Sequence, residues 1–284
     1  MKIGEYQIIP LNIGQFKLDG GAMFGVVPKV IWSKTNPSDD LNRIDMCTST
    51  LLLTNGKRNI LIDTGVGNKM SKKFNDIYCV DNSKFNIDSA LLKYGLTKES
   101  ITDVILTHLH FDHCGGSTYF DENKELKITF PNAEFYVQKN HYEWGINPSE
   151  RDKASFINNN FQILSDKKVL KLIDGEYKFD DYITLIPVNG HTRNMQVVKI
   201  SDGKNTLLHT ADLIPMSAHI PLPYIMGYDL FPVITLEEKR KFLTDAVNGN
   251  WYLFFEHDQL VNCAEVQFNE FGFSIKSNIN LNEI

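Results

Sequence analysis

Long apolar runs, paired cysteines and stretches of one charge are all scarce in this chain of 284 residues, and each scarcity removes a class of function. No uninterrupted apolar stretch approaches the roughly 18 residues that a membrane-spanning helix needs. The opening Met1-Lys2-Ile3-Gly4-Glu5-Tyr6 lacks the apolar core of a signal peptide. The four cysteines, Cys47, Cys79, Cys114 and Cys263, are scattered, so the spacing predicts reduced thiols in a cytoplasm and not a disulfide framework. Net charge is -6, which argues against a broad phosphate-binding face. The densest basic cluster, Lys239-Arg240-Lys241, directly follows Glu237-Glu238 and reads as one solvated helix face. Neither a nucleic acid nor a membrane is expected as a partner; a small-molecule substrate is.

What the chain does have is a concentration of metal-binding side chains. It holds only 8 histidines, yet Thr107-His108-Leu109-His110-Phe111-Asp112-His113-Cys114-Gly115-Gly116 packs four ligand-type side chains into six residues. Three further candidates follow at wide intervals: His191 in Asn189-Gly190-His191-Thr192, Asp212 in Thr210-Ala211-Asp212-Leu213, and His257 in Phe255-Glu256-His257-Asp258. Imidazoles and carboxylates without thiolates suit zinc, with manganese, cobalt and iron also compatible.

Apolar content of 42% and charged content of 23% belong to an ordinary globular α/β chain, long enough for one large domain or two small ones. Strand and helix signals alternate without a Pro-, Gly- or Ser-rich linker, so one domain over 1–284 is expected. Residues 47–54 and 59–63 form a hairpin over Asn55-Gly56. Strands are expected at 104–107, 134–138, 183–188 and 251–256, with a hairpin of 196–200 and 205–209 and a closing hairpin over 264–276. Helices are expected at 88–94, 141–144, 153–161 and 236–247. Every candidate ligand then falls just past a strand end, where rigid elements hold the start of variable loops.

The order His-x-His-x-Asp-His, lone His, Asp, His resembles the metallo-β-lactamase superfamily, from about Met46 to His257. The early motif Asp63-Thr64-Gly65, after an apolar strand, fits the same pattern. The resemblance implies an αββα four-layer sandwich and a dinuclear metal-dependent hydrolase. Position by position, His108, His110 and His191 would hold one ion, and Asp112, His113 and His257 the other. Asp212 would bridge them, making Asp112 and Asp212 the catalytic carboxylates. Asp63 would organise the site from beneath. Two such ions about 3.5–4 Å apart can share a hydroxide whose pKa falls to about neutral. His209 reads as a core histidine and Cys114 as a small packing residue. His141 and His219 have no partner motif.

Two apolar stretches bear on the substrate. Residues 14–34 are expected to form an extended pocket or dimer-contact loop; within it 19–28, and likewise residues 219–231, resemble loops of the branch holding N-acyl-homoserine lactonases and methyl parathion hydrolase. Their competing reading is packing or a homodimer contact. Phe24, Phe111, Tyr224 and Tyr228 are the pocket candidates, and a lactone is the expected substrate, with phosphotriester hydrolysis as a side activity. One departure stands out. Pro215 occupies the position, three residues after the bridging Asp, where well-known small lactonases carry Tyr, so a phenol must come from elsewhere, such as Tyr224 or Tyr228. A glyoxalase II-like thioesterase would share the ligands but calls for basic residues in a helical C-terminal region. An RNA-processing nuclease would need a basic arm, and a non-catalytic metal-binding module would lack a complete ligand set.

Overall fold

Asn55-Gly56 turns the chain as its residue types require. Gly56 adopts φ 79°, and the Asn55 side chain accepts the Lys57 and Arg58 N–H groups. The flanking strands Arg43–Thr54 and Asn59–Ile62 pair antiparallel, with Thr54 opposite Asn59. In this computed structural model, which describes residues 1–283, the chain resolves into two compact units. One comprises Met1–Phe16 and Thr48–Gly175, the other Lys17–Cys47 and Glu176–Ile284.

The first unit centres on a mixed seven-stranded sheet. From Asn59–Ile62 the order runs through Asp103–Ile105 and Glu134–Gln138 to Leu170–Ile173, all parallel. Ile9, Leu11, Ile13, Leu52, Leu61, Val104 and Phe135 share one buried core, and the short helices Ile87–Leu92 and Lys139–Ile146 flank the sheet. Two elements differ from the sequence reading. Tyr6–Asp19 is a strand of 14 residues, whose alternation of Ile9, Leu11 and Ile13 is masked by Pro10 and Gly14. Residues 153–161 form no α-helix, only the single 3-10 turn Asn158–Asn160. The Ser155 carbonyl accepts the Phe111 N–H, and Phe156 bridges to His110, so tertiary pairing overrides local helical preference.

The second unit carries the other seven-stranded sheet. Tyr177–Lys178, Ile183–Val188, Met195–Ser201 and Thr206–His209 run antiparallel in sequence order. Thr206–His209 then pairs parallel with Tyr252–Phe254, a connection that needs a crossover, and the helix Pro232–Gly249 supplies it. The hairpin Cys263–Asn269 with Gly272–Asn278 closes the sheet. No helix among the described residues is long and apolar enough to cross a membrane.

A charged pair anchors the strand that delivers the histidine cluster. Asp103, on Asp103–Ile105, is buried and receives Arg58 Nε at 3.0 Å and Nη2 at 2.6 Å. Removing the cation strands a buried carboxylate. Arg58→Met should lower unfolding stability in urea by about 2 kcal/mol, less than the roughly 3–5 kcal/mol of a wholly buried pair because Arg58 is partly exposed. An unchanged urea midpoint would remove this pair from the account.

Candidate metal centre

In the first unit, the four motif side chains leave the end of Asp103–Ile105 together. His108 and His113 have ring centroids 3.9 Å apart, His108 and His110 4.5 Å, and His113 Nε2 lies 4.0 Å from Asp112 Oδ2. All four are buried. Asp63, at φ 64°, supports them from below: it accepts the Thr107 backbone N–H at 2.7 Å, the Thr107 hydroxyl, and His113 Nδ1–H at 3.1 Å. With its proton given to Asp63, the Thr107 oxygen is an acceptor for His108 Nδ1 at 3.0 Å. Engaging Nδ1 on both rings leaves Nε2 as the nitrogen that could take a metal.

Backbone contact fixes the rest of this half. Thr64 N–H donates to the His113 carbonyl at 2.7 Å and Gly116 N–H to the Gly65 carbonyl at 2.8 Å. A Cβ on Gly116 would lie 2.1 Å from the Thr64 carbonyl oxygen, so only glycine permits this approach. His141, without a partner motif in sequence, accepts the Leu109 N–H on Nε2 at 2.8 Å and so steadies the motif from behind. Burial pushes the Cys114 thiol up to about 12, which suits a packing group and not a nucleophile. Aromatic side chains surround Phe111: Phe74 at 4.9 Å and Tyr78 at 5.0 Å, both from the helix Lys72–Tyr78. Burial, and behind it the charge of Asp112, raise the Tyr78 phenol above its ordinary value.

The second unit gathers the other three candidates. Asp212 lies between two imidazoles, with Oδ2 3.2 Å from His191 Nε2 and Oδ1 3.2 Å from His257 Nε2. One carboxylate oxygen per imidazole is the disposition of a bridging ligand. Each ring is oriented by its other nitrogen. His191 Nδ1–H donates to Asp229 at 2.8 Å, and His257 Nδ1–H donates to the Cys47 carbonyl at 2.9 Å. Pro215, where lactonases carry Tyr, serves differently here: its carbonyl accepts the His257 N–H at 3.1 Å. His209 is wholly buried, 3.6 Å from Glu256.

Asp229 was not visible in the sequence, because 38 residues separate it from His191 and no motif links them. Second-layer carboxylates of this kind typically contribute about 10–100-fold in metal affinity. Asp229→Ala should therefore weaken metal binding in chelator competition by about that factor. Unaltered affinity would deny Asp229 its orienting role.

The two apolar stretches, 19–28 and 219–231, pack on one another within this unit. Gly227 N–H donates to the Ala22 carbonyl at 2.7 Å, and Phe24 stacks on His219 at 4.8 Å and on Trp32 at 5.3 Å, with Tyr224 edge-on at 6.3 Å. Phe24 is fully buried in that stack, Tyr224 is half-buried, and Tyr228 is exposed. His219 donates Nε2–H to the Met23 carbonyl at 2.9 Å, and burial holds it neutral, near 4. Instead of the expected solvated face, Lys239 is fully buried, because its helix turns that residue inward while Arg240 and Lys241 stay exposed.

The donors fit divalent metal binding in both units: imidazole Nε2 atoms and carboxylates, with Nδ1 of His108, His113, His191 and His257 already engaged. Comparison with known proteins agrees. The sequence profile of the metallo-β-lactamase superfamily matches residues 43–257. A "probable metal-dependent hydrolase" from Staphylococcus aureus superposes with a TM-score of 0.88 at 32% identity, covering 98% of each chain. AidC, a dizinc quorum-quenching lactonase solved with its product, gives 0.79 at 24% identity, over 99% of this chain and 97% of that one. Among curated proteins, Integrator complex subunit 11 of Danio rerio is 25% identical over 181 residues, and there this chain spans 28% of its relative's length. Mixed sheets with flanking helices, the motif order and a full-length relative at 32% identity together place the chain in the metallo-β-lactamase superfamily, as a hydrolase.

Proposed function

We propose that this hydrolase opens lactones, using two divalent ions, zinc by donor preference, held by His108, His110, Asp112, His113, His191, Asp212 and His257. Bound ions would supply Lewis acidity and an activated water. The chain's own residues do the remaining work. Asp63 and Asp229 hold His113 and His191 in fixed tautomers, and Asp212 holds its two oxygens toward two imidazoles. Phe111, with Phe74 and Tyr78 beside it, offers an apolar wall next to Asp112. Tyr78 is a phenol adjacent to the motif that joins Tyr224 and Tyr228 as a donor candidate for the leaving group.

The observation that carries the substrate reading is the aromatic character of that wall, together with stretches 19–28 and 219–231 that contain no Lys or Arg. Such a surface favours a neutral ester-like group with an apolar tail over an anionic one. The lactonase likeness of AidC supports the same direction. A panel of lactone, phosphotriester, glutathione thioester and β-lactam substrates on metal-loaded protein tests it. Lactones should be turned over fastest and phosphotriesters slowly. A clear preference for glutathione thioesters would replace this reading with the glyoxalase-like one.

A further inference from the structure

Lys239 lies on the helix Pro232–Gly249 with no part of its side chain exposed. An ammonium carries three N–H donors, and here they meet three backbone carbonyls of one short segment: Pro221 at 3.1 Å, Leu222 at 3.4 Å and Tyr224 at 2.7 Å. That segment has few other ways to hold its shape. Pro221 and Pro223 have no N–H, so it can join no regular ladder; within it the Tyr224 N–H donates to the Pro221 carbonyl at 3.0 Å, and the Leu222 and Tyr224 carbonyls take their donor from Lys239. The preceding residue on the helix does the complementary task. Glu238 accepts the Asn189 N–H at 2.7 Å and the Gly190 N–H at 3.0 Å, which fixes the turn carrying His191. Adjacent residues of one helix thus grip the ligand turn by its N–H groups and the apolar segment by its carbonyls.

We propose that Lys239 is a specificity-determining positioning residue: its ammonium pins residues 221–224, and with them His219, Tyr224 and the Phe24 stack, so that the site discriminates between acyl groups. The inference rests on the lactone reading above. Lys239 touches none of the reacting atoms. Its influence passes through the segment, which cannot shift without leaving the buried Lys239 donors unsatisfied. A methionine of similar length removes those donors and frees the segment.

The test compares Lys239→Met and Lys239→Gln with the wild-type protein at matched metal content. For Lys239→Met, KM for a long-chain acyl-homoserine lactone should rise about tenfold while kcat on a short-chain lactone stays within about threefold. The ratio of long- to short-chain efficiency should collapse accordingly. Lys239→Gln keeps two N–H donors and should fall between the two, and it carries the test if the methionine variant does not fold. A lysine serving only general stability would lower the melting temperature and leave that ratio unchanged; this result overturns the proposal. Backbone hydrogen exchange over 222–230 gives a readout without substrate, and it should accelerate in both variants while the Pro232–Gly249 amides stay protected. If the wild-type protein opens no lactone, the function reading fails on its own and the exchange data still decide Lys239: unchanged exchange in both variants rejects the pin.

Discussion

Asp212→Ala should purify as a folded protein that retains little metal and hydrolyses nothing above background. The expectation follows from geometry within one unit. Each Asp212 oxygen faces a different imidazole at 3.2 Å, and both imidazoles have their other nitrogen committed to a fixed acceptor. Deleting the carboxylate therefore removes a group shared by two imidazoles that cannot rotate to compensate. On the proposed assignment of Asp212 as a ligand, the loss in metal affinity should exceed the roughly 100-fold that orienting partners contribute. Folding should survive, since Ala211 and Leu213 keep the short turn packed in the Val188, Leu208 and Phe255 core. Elemental analysis and circular dichroism on the same sample separate the two effects. Asp212→Asn keeps the size and one neutral oxygen, and it should show the same loss in milder form. Near-normal metal content with near-normal turnover in either variant would remove Asp212 from the centre.

How much of this could be read from the sequence depends on where each interaction lies along the chain. The placement of the candidate ligands was legible because strand signals and ligand-type residues alternate: His108, His191, Asp212 and His257 each lie three residues past a strand end. The Asn55-Gly56 hairpin was legible because its turn chemistry is local. The groups that aim the ligands were not. Asp229 reaches His191 across 38 residues, and His141 reaches the Leu109 amide across 32. Neither has a spacing that a motif could betray. Lys239 is the sharpest case. Its neighbours in sequence are charged, so the cluster reads as solvated, yet the helix turns that one residue inward onto carbonyls of 221–224. A three-carbonyl cradle has no signature in side chains, because backbone supplies every acceptor. Residues 153–161 failed for a related reason: their value lies in pairing with His110 and Phe111, which no local preference encodes.

Catalytic efficiency on lactones should climb with acyl length. Phe111 is flanked by Phe74 and Tyr78 at 4.9 and 5.0 Å, and Tyr224 lies against the Phe24, His219 and Trp32 stack. The 19–28 and 219–231 stretches contain no Lys or Arg, and the acids at their ends, Asp19 and Asp229, have other partners in Asn42 and His191. Burying one methylene is worth about 0.8 kcal/mol, close to a fourfold gain in transition-state binding where the surface is dry. Four added methylenes would then approach about 200-fold, and partial solvation of the tail reduces this toward about tenfold. The gain should lie mainly in KM, because the tail contacts the same surface in the ground state and the transition state. Phe111→Ala should flatten the length dependence while the shortest lactone is cleaved nearly as before. Measured kcat/KM across a series from butanoyl to decanoyl homoserine lactone decides the matter. Equal efficiency at both ends of that series would mean that these aromatics pack the fold and leave the acyl group to solvent.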